Sequence, residues 1–273
     1  MKNTNISVLM SVYYQDKPDF LRDALESLYN QTLKAEEVII VLDGLLDSEL
    51  HQVIDEYKLK LNIITVQNFK NIGLAKSLNR GLDLVSYDYV ARMDADDIAI
   101  KDRFEKQYLL FNRSDMHSDV VGGYVQEFNG ALQETDTIRK VPTNIDGITK
   151  FSKYRSPLNH PTVMMRTKVL RDVGGYPERF NKLEDYALWV NMLQKKYVLR
   201  NIPEVLMFMR ISDSTFKRRG GLKQAKAFVS LRTEMLHIGF INIFEWIVGI
   251  VISVSTSLMP SRMRGSIYKF LRK

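Results

Sequence analysis

Met93-Asp94-Ala95-Asp96-Asp97 sets three carboxylates within four positions, directly after an apolar run. Crowding them at the end of a buried strand is costly unless a cation lies between them. Hard oxygen ligands suit Mg²⁺ or Mn²⁺, which keep water and substrate phosphate in their remaining positions. A bare D-x-D is also a common solvated loop, so its meaning depends on where the fold puts it. A second acidic pair, Glu184-Asp185, opens a run with helical spacing. A carboxylate there stays ionised in the field of the helix N-terminus, as a capping acid or as a base. Lys217-Arg218-Arg219-Gly220-Gly221 is a basic cluster flanked by glycines. It suits a loop that closes on an anionic leaving group, a solvated turn or a lipid-facing patch.

The elements that must position these groups follow from the apolar periodicity. Ile6 to Val12, Glu37 to Leu42, Leu61 to Val66 and Tyr87 to Met93 are short strand-like runs. Between them, Phe20 to Leu33, Ser48 to Leu59 and Gly73 to Val85 have helical spacing. This alternation predicts an α/β fold with a largely parallel sheet, whose ligands gather at the carboxyl ends of the strands. Ser11 and Tyr13 follow the first strand, Asp43 the second, Asn71 and Gly73 the third, and Asp94 and Asp96 the fourth. Beyond about Asp119 the rhythm is less regular. A helix is expected over Leu183 to Lys195, then a short strand pair near Val198 and Val205, and a long helical region from Leu222. The division expected is 1–112 for one half of the main domain, 113–221 for the second wall of a cleft, and 222–273 for a helical tail.

The 273 residues, 45% of them hydrophobic, suffice for one large domain with an appendage. With no cysteine, disulfides and thiolate metal sites are excluded. The formal charge of +7 favours anionic partners without choosing among them. The basic residues are scattered or gathered in the tail, with no motif for reading nucleic acid. The first residues lack the apolar stretch and cleavage site of a signal peptide, which leads to an expectation of a cytoplasmic location.

The segments ISVLMSVYY, EVIIVLDGLLD, NIGLAKSLNRGL and YVARMDADDIAIKDRF, followed by NHPTVMMR, VGGY and LEDYALW, occur in an order and spacing that resemble family 2 glycosyltransferases. The resemblance implies the GT-A fold, a mixed and largely parallel sheet flanked by helices. It further implies metal-dependent, inverting, single-sugar transfer from a nucleotide sugar. The positions matching Ser11, Tyr13 and Asp43 contact the nucleoside in that family, with Asp43 suited to a uracil N3–H and hence to UDP. Asp94 and Asp96 match the metal-binding D-x-D, Asp94 also serving the donor. Asp185 matches the catalytic base, beside Glu184, His160 and Trp189 on the acceptor side. Lys76, Arg210, Arg218 and Arg219 are further donor-side candidates. Lys76 also reads as an exposed helical lysine, and His160 as a packing residue beside Pro161. Two departures matter. Leu42 replaces an acidic residue frequent in the family, and Arg210-Ile211-Ser212 lacks a histidine often found near the metal, which shifts metal binding toward Asp96.

The resemblance also implies a polyprenyl-diphosphate-linked saccharide acceptor, in O-antigen or capsule assembly at the cytoplasmic face of the inner membrane. A processive synthase would carry Q-x-x-R-W and several membrane spans, and this sequence has neither. A non-catalytic nucleotide-sugar sensor is the alternative, against which Glu184-Asp185 argues. Phe240 to Met259 is strongly apolar, with Asn242, Glu245, Gly249, Ser253 and Thr256 placed to line one narrow face of a helix. Its uninterrupted apolar part is short for a bilayer span. Arg262, Arg264, Lys269, Arg272 and Lys273 follow among apolar residues, a pattern for lying on an anionic membrane surface or packing on protein.

Overall fold

The computed structural model describes residues 4–130, 137–180, 182–211 and 220–259. Four parallel strands form one side of a single sheet: β1 (Ile6–Val12), β2 (Glu37–Asp43), β3 (Ile63–Asn68) and β4 (Tyr89–Met93), in the order β3-β2-β1-β4. β2 is buried along its whole length and β1 at every residue but Ser11. That burial on both faces explains why these strands read as continuous apolar runs. The crossovers are α1 (Pro18–Tyr29), α2 (Ser48–Lys58) and α3 (Leu74–Leu82). In α1, Pro18 opens the helix, and Leu21, Ala24, Leu25 and Leu28 form the buried stripe. Asp47 caps α2 by accepting a hydrogen bond from the Leu50 N–H at 2.9 Å. Gly73, with φ of +90°, turns the chain into α3.

After β4 come β5 (Ile98–Ala99), α4 (Arg103–Phe111), β6 (Val120–Phe128), β7 (Thr137–Arg139) and α5 (Ile145–Ser152). A 3₁₀ turn at His160–Thr162 leads to β8 (Met164–Arg166), α6 (Thr167–Asp172), α7 (Glu184–Gln194) and β9 (Leu199–Arg210). The sheet continues from β4 through β8, β6 and β9 to β5, with β7 on β6. β8 is antiparallel to β4 and β6, and β9 runs parallel to β6. One apolar cluster lies under α1, α2 and α4, and a second joins α3, α5, α6 and α7. A third links α7 to α8 (Leu222–His237), on which α9 (Ile243–Leu258) packs. The expected α/β sheet with a helical C-terminal appendage is therefore what forms.

Three of the departures from the expected boundaries have a clear physical cause. α1 stops at Tyr29 rather than running to Leu33, because Gln31 turns its side chain into the neighbouring loop. It donates to the Ile100 carbonyl at 2.7 Å and accepts from the Phe104 N–H at 3.1 Å. The strand pair near Val198 and Val205 is the single strand β9. Its register against β6 jumps from Ile202 to Val205, so Pro203 and Glu204 sit in a bulge, where a missing N–H costs no ladder bond. The region after Leu222 breaks at Gly239 and restarts in a capping box: Asn242 accepts from the Glu245 N–H while Glu245 accepts from the Asn242 N–H, each at 2.9 Å. Asn242 and Glu245 thus start α9 rather than lining its face.

Candidate active site

Parallel pairing of Ser11 with Val41 and of Met10 with Met93 brings the carboxyl ends of β1, β2 and β4 side by side. Ser11, Tyr13, Asp43 and the acidic loop therefore share one end of the sheet. Ser11 and Tyr13 are half-buried. The Tyr13 N–H donates to Asp16 at 2.9 Å, and its ring meets Tyr14 edge to face at 5.7 Å. The Asp43 carboxylate is buried and already engaged. It accepts from Asn68 Nδ2 at 3.0 Å, the Ile72 N–H at 2.8 Å and the Gly73 N–H at 3.0 Å. Three of its roughly four acceptor positions are thus filled, leaving room for one further donor. The Ile72 and Gly73 N–H groups therefore point at Asp43. Lys76 is exposed, in a groove of about 550 Å³ with Asn79, Arg80, Asp83, Arg171 and Glu178. Asn79 in turn holds the loop after α6, donating to the Tyr176 carbonyl at 2.9 Å and accepting from its N–H at 2.7 Å.

Asp94 is ion-paired with the guanidinium of Arg92, which is almost wholly buried. Burial lowers the Arg92 pKa, but the charge and hydrogen bond of Asp94 together with Tyr176 and Asp97 more than offset it, so the group stays a cation. Asp97 is buried and accepts from the Arg210 N–H at 2.9 Å. Burial first, then the charges of Asp94 and Asp96, hold its carboxyl well above the usual range. The loop thus carries the like-charge crowding that a cation relieves. Half-exposed Asp94 and Asp96 supply hard oxygens. No cluster of three or more acidic or histidine side chains able to cage a metal occurs among the described residues. The donor set fits Mg²⁺ or Mn²⁺ completed by diphosphate and water.

Two arginines brace this loop, and both act through protein groups. Buried Arg103 donates to the Arg92 carbonyl at 2.8 Å and to Gln107 Oε1 at 3.1 Å. Its pKa falls to about 9, from burial first and then the Arg92 charge. Arg210, expected at the donor, lies between the rings of Phe20 (3.8 Å) and Phe128 (4.6 Å). It donates to Asp23 at 3.0 Å and to the Asp96 carbonyl at 3.2 Å, fixing the loop rather than reaching into a cleft. Arg218, Arg219 and Ser212 lie outside the described residues. Asp97 enters the sequence reading only as one of three crowded carboxylates, and Arg92 carries no role there. For Arg92 the available signal is a charge inside an otherwise apolar strand, a costly placement without a partner.

Glu184 and Asp185, expected on the acceptor side, are the first two residues of α7. Asp185 is half-exposed, whereas Glu184 is buried with no hydrogen-bond partner on Oε2 among the described residues. Burial, then the Asp185 charge, raises the Glu184 pKa to about 7. His160 meets the Tyr176 hydroxyl at 3.1 Å and the Tyr176 and Trp189 rings edge-on. Burial, then the Arg92 charge, holds its imidazole well below the ordinary pKa, so it is neutral. Trp189 corrects an expectation: it is fully buried, with Nε1 unpartnered among the described residues, and packs behind the site instead of contacting an acceptor. A helix with an apolar face at this spacing buries its largest ring in the core. Arg92, Asp94, Glu184 and Asp185 all act electrostatically on the Tyr176 hydroxyl, which places the acidic loop and the start of α7 in one neighbourhood.

Glu184 makes stability depend on pH. Its folded pKa of about 7 lies above the ordinary 4.5, so the unfolded chain loses the proton first as pH rises. Folding stability should fall between roughly pH 4.5 and 7, by on the order of 3 kcal/mol at most, and then level off. Urea denaturation across that range should show this slope in the wild type and a flatter profile in Glu184→Gln. Equal slopes would mean that Glu184 titrates normally.

The sequence profile of Glycosyl transferase family 2 matches residues 7–174. The chain is 39% identical over 264 residues to the Escherichia coli UDP-Gal:alpha-D-GlcNAc-diphosphoundecaprenol beta-1,3-galactosyltransferase, covering 96% of this chain and 94% of that protein. It is 33% identical over 269 residues to the amylovoran biosynthesis glycosyltransferase AmsE of Erwinia amylovora, covering 98% and 99%. Among solved structures, the mannosyltransferase PcManGT of Pyrobaculum calidifontis, in complex with GDP-Man and Mn²⁺, has a TM-score of 0.63 at 13% identity, over 98% of this chain and 80% of that one. That likeness concerns the fold, while the profile and the full-length relatives bear on descent. With the acidic loop after β4 and the acidic pair opening α7 in one neighbourhood, this chain belongs to the family 2 glycosyltransferases.

Proposed function

We propose that the chain transfers one hexose, with inversion, from a UDP-sugar to a hydroxyl of a polyprenyl-diphosphate-linked saccharide in surface-polysaccharide assembly. The observation that carries the reading is the contrast within the acidic pair: half-exposed Asp185 beside buried Glu184, whose pKa is raised by burial and then by the Asp185 charge. Environments that drive two carboxyls apart mark one for base chemistry and the other for a proton-holding role. Asp185 accepts the proton of the acceptor hydroxyl as its oxygen attacks the anomeric carbon. The carbon–oxygen bond to UDP breaks on the opposite face, its electron pair leaving with the diphosphate. Asp96 with Asp94 would hold Mg²⁺ or Mn²⁺, which would supply positive charge to the departing diphosphate. Arg92 holds Asp94 in place, Asp43 keeps one acceptor position for the base, and neutral His160 supports the acceptor wall.

The relatives support a lipid-linked acceptor and guide the choice of substrates. Purified protein with Mn²⁺, UDP-galactose and a GlcNAc-diphosphate-lipid should form a β-linked disaccharide, read by mass spectrometry and NMR. UDP-glucose and the two UDP-N-acetylhexosamines complete the donor panel. An α-linkage would refute inversion. No transfer from any of these donors, despite UDP binding, would favour a non-catalytic binding subunit.

A further inference from the structure

α9 turns Gly249, Ser253 and Ser257 inward and most of its large apolar residues outward. Gly249, Ser253 and Ser257, four residues apart, are buried against the protein. Phe244, Ile247, Val251 and Leu258 are 69%, 49%, 59% and 53% exposed, with Ile243 and Ile252 beside them. The cause is Arg232 of α8, which is fully buried. Its guanidinium donates to the Lys153 carbonyl at 2.6 Å, the Tyr154 carbonyl at 2.7 Å and the Ser253 hydroxyl at 3.4 Å. It lies against Gly249, where a Cβ would overlap it. Rotating α9 to bury its apolar side would set isoleucine or valine over that guanidinium and remove a hydrogen-bond partner from a buried charge. Lys153 fixes the start of the helix as well, pairing with Glu245 at 2.6 Å.

The outward face is therefore locked in exposure. It runs along a helix about 24 Å long whose only charged residue is Glu245, turned to Lys153. Apart from exposed Ser255 the face is apolar, and an apolar stripe on such a scale marks an interaction surface. No helix among the described residues is long and apolar enough to cross a membrane, so the stripe fits lying on a bilayer rather than spanning it. The sequence after α9 decides the occupant: Pro260 to Lys273 carries Arg262, Arg264, Lys269, Arg272 and Lys273 and no acidic residue. Apolar area beside concentrated positive charge matches an anionic lipid surface.

The geometry points to α9 as a lipid-docking helix, its Phe244–Leu258 stripe seated in the interface of an anionic bilayer and its orientation locked by Arg232. The proposal deepens the lipid-acceptor reading above and rests on it for its biological sense. α8 packs on α7 through Leu231 and Met235 against Tyr186 and Val190, so docking would set the start of α7 one helix layer from the lipid.

Co-sedimentation of the full chain with phosphatidylcholine vesicles, with and without phosphatidylglycerol, tests this. The wild type should bind the anionic vesicles and release in high salt. Ile247→Glu with Val251→Glu should cut binding on the order of tenfold or more, with Phe244→Ser as a milder second variant. Transfer to a short-chain, water-soluble acceptor should be unchanged in each. Absent vesicle binding by the wild type, or undiminished binding by both variants, overturns the proposal. So does a lipid-free wild-type dimer in sedimentation velocity that the double variant splits, which would assign the stripe to a second copy. Loss of transfer in all proteins with vesicle binding intact would instead count against the proposed reaction alone.

Discussion

Asp185→Asn should keep UDP-sugar affinity and lose turnover by ~10²–10⁴-fold, the usual contribution of a positioned general base. The substitution preserves shape, and a half-exposed site tolerates it. The helix-dipole interaction it forfeits is worth only about 0.3–1 kcal/mol. The neighbouring carboxyl makes the test sharper. Asp185 is one of the charges raising the Glu184 pKa, so in the variant Glu184 ionises at lower pH. Residual turnover that rises with that ionisation and vanishes in Asp185→Asn with Glu184→Gln would show Glu184 acting as a weak substitute base. Full turnover by Asp185→Asn at neutral pH would remove Asp185 from the chemistry. Calorimetry with the UDP-sugar alongside steady-state kinetics separates binding from the proton-transfer step.

The second large effect is expected at Asp96. In the wild type, Mn²⁺ should tighten UDP binding, and in Asp96→Ala that dependence should disappear while metal-free UDP binding persists. Asp96 is the better probe of the two D-x-D aspartates. The carboxylate of Asp94 neutralises buried Arg92, so its removal would leave an uncompensated interior charge and unsettle the fold. Removing Asp96 relieves crowding instead, since its charge is among those holding the Asp97 carboxyl up. Titration of UDP into protein with and without Mn²⁺ reads the outcome directly. An unchanged Mn²⁺ dependence in Asp96→Ala would place the cation elsewhere.

β1, β2 and β4 were legible because parallel strands covered on both faces leave uninterrupted apolar runs, whereas β3, a half-exposed edge strand, lies two residues later than expected. β9 was not, because the Pro203-Glu204 bulge imitates a turn between two strands. α1 ended early because Gln31 finds partners near residues 100 and 104, a choice invisible in local helical spacing. The same limit applies at Arg210, a donor-side candidate by resemblance, whose partners Asp23, Phe20 and Phe128 come from distant parts of the chain.

From the residues alone came the α/β class, the gathering of Ser11, Asp43, Asp94 and Asp96 at one end of the sheet, and the placement of Glu184-Asp185 at a helix start. Those features follow from strand order and local periodicity, which are written along the chain. The tertiary structure decided how each carboxylate is employed: Asp43 holds a loop, Asp94 balances Arg92, Asp97 is buried on the Arg210 backbone, and Glu184 is kept near neutrality beside Asp185. It also decided that α9 turns its apolar side outward, since Arg232 on another helix occupies the space at Gly249. Protonation, ion pairing and the exposed face of a helix depend on burial and on partners far away in sequence, and only the folded chain brings those together.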